Sequence, residues 1–521
     1  MAKVYNTATD LITFARSSSG TALRRVGYGD EIFGDPSFDG TGDWSLPGTS
    51  VTVSGGKLTY DAVNNVRGAE QDVNIYAGRV YQVSFEVLSG TARIYLSTGK
   101  TSTTLISDLG ANNYGVGVHQ INVVANGNYS TIGFTFNKFF GGRACELASF
   151  SMKEVFFDRA TDPLVLFNHP DDTPRIEYGS DGALKGLLIE EQRTNLFNYS
   201  NDPNLVDGGG GDAGLTVSAN TEDDPAGSAA ASIITAQYTN SFFGPRYTSG
   251  ATGQVYTASF IVKNNGSAQS RIFVRNSVDA ADITVSWDGA TLTSTTDTSG
   301  SSSTEPLGGN YYKISVTYTA TEGTQKPRIY PDTSDGSNSL VVYAWQLEEG
   351  SFATSYIPTS GSQQTRSADV ASIPVSAFGY NQDAGTVVVE AQVADTSVSN
   401  AGDLRIKTTV GHDITNSGSR VGGFPAGSYV VYSPTTNILM RVDTVLGDGQ
   451  PYKAAYGIAE SNSAISVNGS SVVIDQTTTL AGNTASLFEL GKNFGFLNGH
   501  IKSLKYYPRR LTNAQLQELT A

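Results

Sequence analysis

Apolar and polar residues alternate along most of this chain, in short runs broken by turn-forming residues. Ala148-Ser-Phe-Ser-Met-Lys-Glu-Val155 and Leu340-Val-Val-Tyr-Ala-Trp-Gln-Leu-Glu348 carry the period of two expected of strands with one buried face. Such runs recur at spacings of about ten residues and are punctuated by Ser54-Gly55-Gly56, Asn126-Gly127-Asn128 and Gly308-Gly309-Asn310, a rhythm that predicts β-sandwiches. Asn468-Gly469, between Val467 and a further strand, reads as a tight hairpin turn. Helical periodicity is confined to the C-terminus, where Thr512 can cap Asn513-Ala-Gln-Leu-Gln-Glu-Leu519 with Leu516 and Leu519 on one face.

One run occurs twice. Gly78-Arg-Val-Tyr-Gln-Val-Ser-Phe-Glu-Val87 returns as Gly253-Gln-Val-Tyr-Thr-Ala-Ser-Phe-Ile-Val262 with six identical positions, so the two regions are predicted to be related domains. A second strand follows each copy, Thr91-Ala-Arg-Ile-Tyr-Leu96 and Ser270-Arg-Ile-Phe-Val-Arg275. The polar stretch Ile357-Pro-Thr-Ser-Gly-Ser-Gln-Gln364 marks a boundary, beyond which strands resume at Gly385-Thr-Val-Val-Val-Glu-Ala-Gln-Val393. The fold class expected is all-β: three tandem β-sandwich, jelly-roll domains joined by connector segments. A chain of 521 residues is too long for one core and suits several domains.

Composition narrows the chemistry. Gly is abundant at 57 residues and charged residues are only 16%, which favours strands and turns. Cys145 is the single cysteine, so neither an intramolecular disulfide nor a thiolate metal cluster is expected. The net charge of −15 argues against a nucleic-acid partner or an anionic membrane. No stretch reads as a signal peptide or a membrane span, so synthesis in a cytoplasm and no membrane insertion are expected.

No catalytic residues are nominated. Glycan hydrolysis requires two opposed carboxylates, and Glu390, Glu460, Glu489 and Glu518 stand apart from other acids. Glu190 and Glu191 are adjacent and would point to opposite sides of a strand, which suits a structural role. His119, His169, His412 and His500 show no metal or triad spacing and are expected on surfaces or hairpins. No cofactor is expected; structural calcium at the acidic loop Thr221-Glu-Asp-Asp-Pro-Ala-Gly227, or at Asp39 and Asp43, competes with an ordinary solvated turn.

Five segments carry a family resemblance, the first three of them to phage proteins. Pro174-Arg-Ile-Glu-Tyr-Gly-Ser-Asp-Gly-Ala-Leu-Lys-Gly-Leu-Leu-Ile-Glu-Glu-Gln-Arg-Thr-Asn-Leu196 resembles a connector found in phage tail and receptor-binding proteins. Phe14-Ala-Arg-Ser-Ser-Ser-Gly-Thr21 matches the segment that precedes it there. Ala344-Trp-Gln-Leu-Glu-Glu-Gly-Ser-Phe-Ala-Thr-Ser-Tyr-Ile-Pro-Thr359 matches the end of the carbohydrate-binding-module-like jelly roll that follows it. The module opening at Asp35-Pro-Ser-Phe-Asp-Gly-Thr-Gly-Asp-Trp44 looks like the same class, and the region ending Asn498-Gly-His-Ile-Lys-Ser-Leu-Lys-Tyr-Tyr-Pro-Arg-Arg-Leu-Thr512 is similar to concanavalin-like, laminin-G-like sandwiches.

The resemblance implies a virion-attachment segment at 1–30, a jelly roll at 31–155 inserted before a connector at 156–200, a second jelly roll at 201–360 and a concanavalin-like lectin sandwich at 370–521. It also implies a bacteriophage fibre, tail-tip or head-spike subunit: a homotrimer in the virion that contacts other phage structural proteins and host surface polysaccharide. The alternatives are a purely structural decoration or adaptor subunit, and a depolymerase whose carboxylates come from separate strands. Sugar binding needs aromatic faces and planar polar groups. Alternation puts Arg93 and Tyr95 opposite Ala92, Ile94 and Leu96, and puts Arg271, Phe273 and Arg275 opposite Ile272 and Val274. These five are the candidate carbohydrate contacts, against the alternative that they pack across strands or on a neighbouring subunit. Trp44, Trp287 and Trp345 stand where the resembling modules carry core aromatics.

Overall fold

The computed structural model describes residues 11–40, 44, 51–60, 67–92, 94–97, 114–135, 145–204, 211–275, 279–394, 404–408, 414–417, 429–432, 439–442, 446–447, 449–478, 480, 484–492 and 495–521. Among them the protein is all-β, with one α-helix at Asn513–Thr520 and short 3-10 turns. No described helix is long and apolar enough to cross a membrane. The chain divides into two compact units: Arg25–Pro163, and Met1–Arg24 together with Leu164–Ala521.

In the unit Arg25–Pro163, the strand Cys145–Phe157 runs antiparallel to Val80–Ser89, to Lys57–Tyr60 and to residues 26–31. A second sheet pairs Tyr129–Thr135 with Arg67–Ile75 and Ile94–Ser97. Tyr81, Val83, Phe85, Val87, Ile132 and Phe150 fill the space between the two sheets.

The other unit holds two sandwiches. In the first, two sheets of six described strands each enclose Tyr256, Phe260, Ile272, Ile283, Ile329 and Trp345. Its central strand Val255–Asn265 pairs with both Tyr312–Thr319 and Ser339–Glu349. Trp345 is fully buried and its indole N–H donates to the Tyr199 carbonyl at 2.8 Å, so this ring is a core residue.

The repeated sequence is a repeated structure. Each copy turns the same alternate residues inward: Tyr81, Val83, Phe85 and Val87 in one, Tyr256, Ala258, Phe260 and Val262 in the other. Gly78 and Gly253 both adopt positive φ, 76° and 82°, and each N–H donates at 2.7 Å, to Ala125 O and Ala320 O respectively. The two tyrosine hydroxyls accept from a backbone N–H five residues upstream, Tyr76 N at 2.9 Å and Ala251 N at 3.0 Å. The identical glycine and tyrosine thus close the same corner in both copies.

The C-terminal sandwich, two sheets of seven described strands each, draws on chain well outside 370–521. The N-terminal strand Thr13–Ala15 pairs with Val370–Pro374. The connector strands Ile176–Tyr178 and Leu184–Ile189 form a hairpin that pairs with Gly499–Tyr507. Phe14, Leu187 and Ile189 enter the same core as Val387, Val389 and Phe488. Gly186 is needed where the hairpin docks: φ is 125°, and a Cβ there would meet the Ile501 carbonyl oxygen at 2.3 Å. Asn468 and Gly469 adopt φ of 47° and 71°, the positive pair a tight hairpin turn requires. Thr512 and Gln515 form a reciprocal capping box, and Leu516 is buried beside Ala455 and Ala464.

Candidate functional site

Three places in the larger unit concentrate polar chemistry. The first is where the resembling segments meet. Arg16, Arg175 and Arg366 have fully buried side chains, as has Asp369, and Glu190 is nearly so. Asp369 accepts from Arg16 Nη1 at 3.1 Å and from Arg175 Nη2. Glu190 lies 2.8 Å from Arg175 and 3.4 Å from Arg366, and accepts from the N–H and hydroxyl of Ser355 at 2.8 and 2.7 Å. Arg16 also donates to carbonyls at Ser18 and Pro170, 2.6 and 2.7 Å away. Gly20 sits among the three arginines: a Cβ there would lie 3.3 Å from the Arg175 and Arg366 stems and 3.4 Å from the Arg16 guanidinium carbon.

The electrostatics follow from burial. Burial opposes the Glu190 charge, but Arg366 and Arg175 outweigh it and hold its pKa far below the usual carboxylate range. Burial, with Arg175 beside it, lowers Arg16 to about 10, which leaves it charged at neutral pH. His169 is fully buried next to this cluster; burial and then Arg24 push its pKa well down. Arg24 Nη1 lies 3.2 Å from His169 Nε2, so that nitrogen accepts and the ring donates from Nδ1 to Phe167 O at 3.2 Å. The arrangement clamps an N-terminal segment, the connector and the segment after the second jelly roll into one block.

The second place is a cavity of about 220 Å³ lined by Glu177, Lys185, Glu305, Lys313, Gln392 and His500. Here two carboxylates do approach one another, on either side of the Lys185 ammonium at 3.7 Å for Glu177 and 2.7 Å for Glu305. Glu177 also holds His500 Nε2 at 2.6 Å, and Lys313 lies 2.9 Å from Glu305. Burial works against both charges, but His500 and Lys185 keep the Glu177 pKa low, and Lys313 and Lys185 keep that of Glu305 low. Both acids are therefore ionised at neutral pH, whereas a glycosidase acid must keep its proton. His169 and His500 correct the expectation that the histidines lie on surfaces or hairpins: 0% and 8% exposed, they are interior partners of Arg24 and Glu177. Hydrogen bonds to residues far away in the chain, which a local search cannot see, are the reason.

The third place is the outward face of the sheet that contains Gln269–Arg275. Ile272 and Val274 are buried in the core, as alternation predicts, and Arg271, Phe273 and Arg275 point the other way. Arg271 forks onto Asp282 at 2.6 and 2.7 Å, and its guanidinium carbon lies 4.3 Å from the Phe273 ring centroid and 5.6 Å from that of Tyr330. Arg328, directly opposite Phe273 in the register, stacks over Phe242 at 4.0 Å. Phe273 and Tyr330 are each only 7% exposed despite facing outward, with Arg271 over Phe273 and the Phe242 ring 5.5 Å from that of Tyr330. Sequence reasoning missed Phe242, Arg328 and Tyr330, which arrive from neighbouring strands. Arg93, the side chain of Tyr95, His412 and Asp43 lie outside the described residues.

In the acidic loop, the Asp224 carboxylate accepts from Ala226 N and Ser228 N at 2.7 and 3.0 Å and so closes its own turn. Asp39 N donates at 3.0 Å to Asp35, whose other oxygen accepts from the Trp44 indole at 2.9 Å. Among the described residues no three His, Cys, Asp or Glu side chains converge to hold a metal ion.

No protein-family model matches the chain, and no curated protein does. Among solved structures it is similar to domain 4 of AbnA, a GH43 extracellular arabinanase from Geobacillus stearothermophilus solved with arabinotriose. That match has 16% identity and a TM-score of 0.23, over 33% of this chain and 82% of that one. The CBM22-1–CBM22-2 tandem of Paenibacillus barcinonensis Xyn10C matches at 13% identity and TM-score 0.20, over 62% and 98%. Trypanosoma rangeli sialidase matches at 11% identity and TM-score 0.23, over 90% and 82%. Likenesses of this size carry no statement about ligand or activity.

Proposed function

We propose that this chain is a non-enzymatic attachment protein: a bacteriophage fibre or spike subunit, homotrimeric in the virion, that mounts on other phage structural proteins and binds host surface polysaccharide. The observation that carries the binding half is the outward face of the second jelly roll, where Arg271 sits over Phe273 beside Tyr330 and Arg328 sits over Phe242. Planar donors held in place by rings are groups suited to bridging sugar hydroxyls. Each contact is weak, and repeated copies on one particle would multiply it. The phage half rests on the three resembling segments. The buried charge clamp supports a rigid platform, and the ionised acids of the 220 Å³ cavity, each paired with Lys185, support binding without hydrolysis.

A glycan array probed with the intact oligomer tests the reading. Binding to at least one polysaccharide, without new reducing ends on incubation, is the expected result; silence across the array would remove adhesion. One observation favours the alternative of a structural decoration subunit: Phe273 and Tyr330 are already covered. Finding this face against a neighbouring virion protein in a particle map would select that alternative.

A further inference from the structure

The net charge of the chain is −15, yet one sheet face gathers cations. The antiparallel register sets Arg271 opposite Tyr330 and Phe273 opposite Arg328. Phe243 pairs with Ile329 and both are buried in the core, which leaves Phe242 and Gly244 on the outer side beside Tyr330 and Arg328. A Cβ on Gly244 would meet Arg328 Cγ at 2.9 Å, so the missing side chain makes room for the Arg328 stem. The Tyr247–Gln325 bridge continues the same pairing, and alternation from it puts Arg246 and Lys326 on this face next to Arg275, whose N–H donates to Lys326 O at 3.4 Å.

Five cations therefore share the face: Arg246, Arg271, Arg275, Lys326 and Arg328. Asp282 answers Arg271 at 2.6 Å and Glu322 answers Lys326 at 3.1 Å, and Asp279 stands opposite Arg275 in the register. Arg328 rests on Phe242 and makes no ion pair with a described carboxylate. Stacking occupies the plane of a guanidinium and leaves its N–H edge, which is the geometry that receives a carboxylate in two parallel hydrogen bonds. Neutral sugars that stack on proteins need open ring faces, and Phe273 and Tyr330 are 7% exposed beneath their arginines. The overall negative charge does not cancel this locally, because salt screens exposed charges beyond roughly 8 Å.

We infer that this face binds an acidic polysaccharide, with Arg328 and its neighbours receiving the carboxylates of uronic or sialic acid residues. The inference rests on the glycan-attachment reading and names the class of glycan. Affinity electrophoresis of the full chain through gels containing polygalacturonate, with dextran as the neutral control, tests it. The wild-type chain is expected to be retarded by polygalacturonate and released as salt rises. Arg328→Gln should weaken retention about tenfold. Asp282→Asn, which frees the fork of Arg271, should strengthen retention about threefold, a change of sign that lost packing would not produce. Circular dichroism confirms that both variants are folded. Retention by dextran alone, or retention indifferent to both substitutions, overturns the inference and leaves attachment standing. Retention by no polymer, together with a silent glycan array, overturns both. If Arg328→Gln alters the oligomeric state in sedimentation and leaves retention unchanged, the face is an interface between copies of the chain and the inference fails.

Discussion

Two groups of arginines in the same compact unit answer opposite demands. Arg16, Arg175 and Arg366 have no solvent exposure, and their charges are met by Asp369, Glu190 and backbone carbonyls. Arg271 and Arg328 sit on an outer sheet face, over the rings of Phe273 and Phe242 and partly exposed. In the interior a guanidinium is tolerated only when each charge is compensated, so every partner becomes indispensable and the cluster serves architecture. At the surface desolvation is partial, a single charge can go unanswered, and what remains unanswered is available to a ligand. Burial, more than residue type, separates the clamp from the candidate binding face.

The contrast breaks most visibly at Asp369. Asp369→Ala leaves Arg16 and Arg175 buried with one fewer counter-charge, and should cost about 3–5 kcal/mol, seen as a lower urea midpoint of tryptophan fluorescence. If the midpoint holds, the clamp is not the structural element described.

The next effect is a pH dependence particular to the buried side. His169 is kept neutral inside, so its folded pKa lies below its unfolded value near 6.5. Above about pH 6.5 neither state takes up a proton there and its contribution is complete. Below that pH the unfolded chain binds a proton that the folded chain refuses, and stability falls by up to about 1.4 kcal/mol per pH unit. Glu190 adds a second loss in the same direction: its depressed pKa means stability is full above about 4.5 and declines as pH falls further. His169→Gln should flatten the profile between roughly pH 6.5 and 4.5 and leave the lower limb in place, as chemical denaturation at stepped pH would record. A variant profile parallel to wild type would show that His169 is not the group responsible.

The smallest expected effect sharpens the comparison from the other side. Arg328→Gln removes a stacked surface guanidinium and should change stability by no more than about 0.5 kcal/mol, measured by the same denaturation. A loss as large as that of Asp369→Ala would place the outer face with the clamp, as a structural element.

Much of the local structure was legible beforehand. The two copies of the Gly-x-Val-Tyr run predicted related domains because a positive-φ glycine and a corner tyrosine are local requirements, and both copies meet them with the same hydrogen bonds. Alternation correctly divided Ile272 and Val274 from Arg271 and Phe273, and Thr512 was recognisable as a cap from its neighbours. The histidines were misread for the complementary reason. His500 meets Glu177 across 323 residues, and Arg16 meets Asp369 across 353. Nothing in the residues around either partner specifies the other.

The amino-acid order alone determined strand period, turn positions, the C-terminal cap and the duplication, since each depends on steric and hydrogen-bonding preferences within a few residues. Tertiary structure decided which strands became neighbours, because every strand edge offers the same N–H and C=O pattern and only the packed core selects among partners. That selection drew the connector hairpin into the C-terminal sandwich, assembled the clamp from three distant segments, and brought Phe242, Arg328 and Tyr330 beside Arg271.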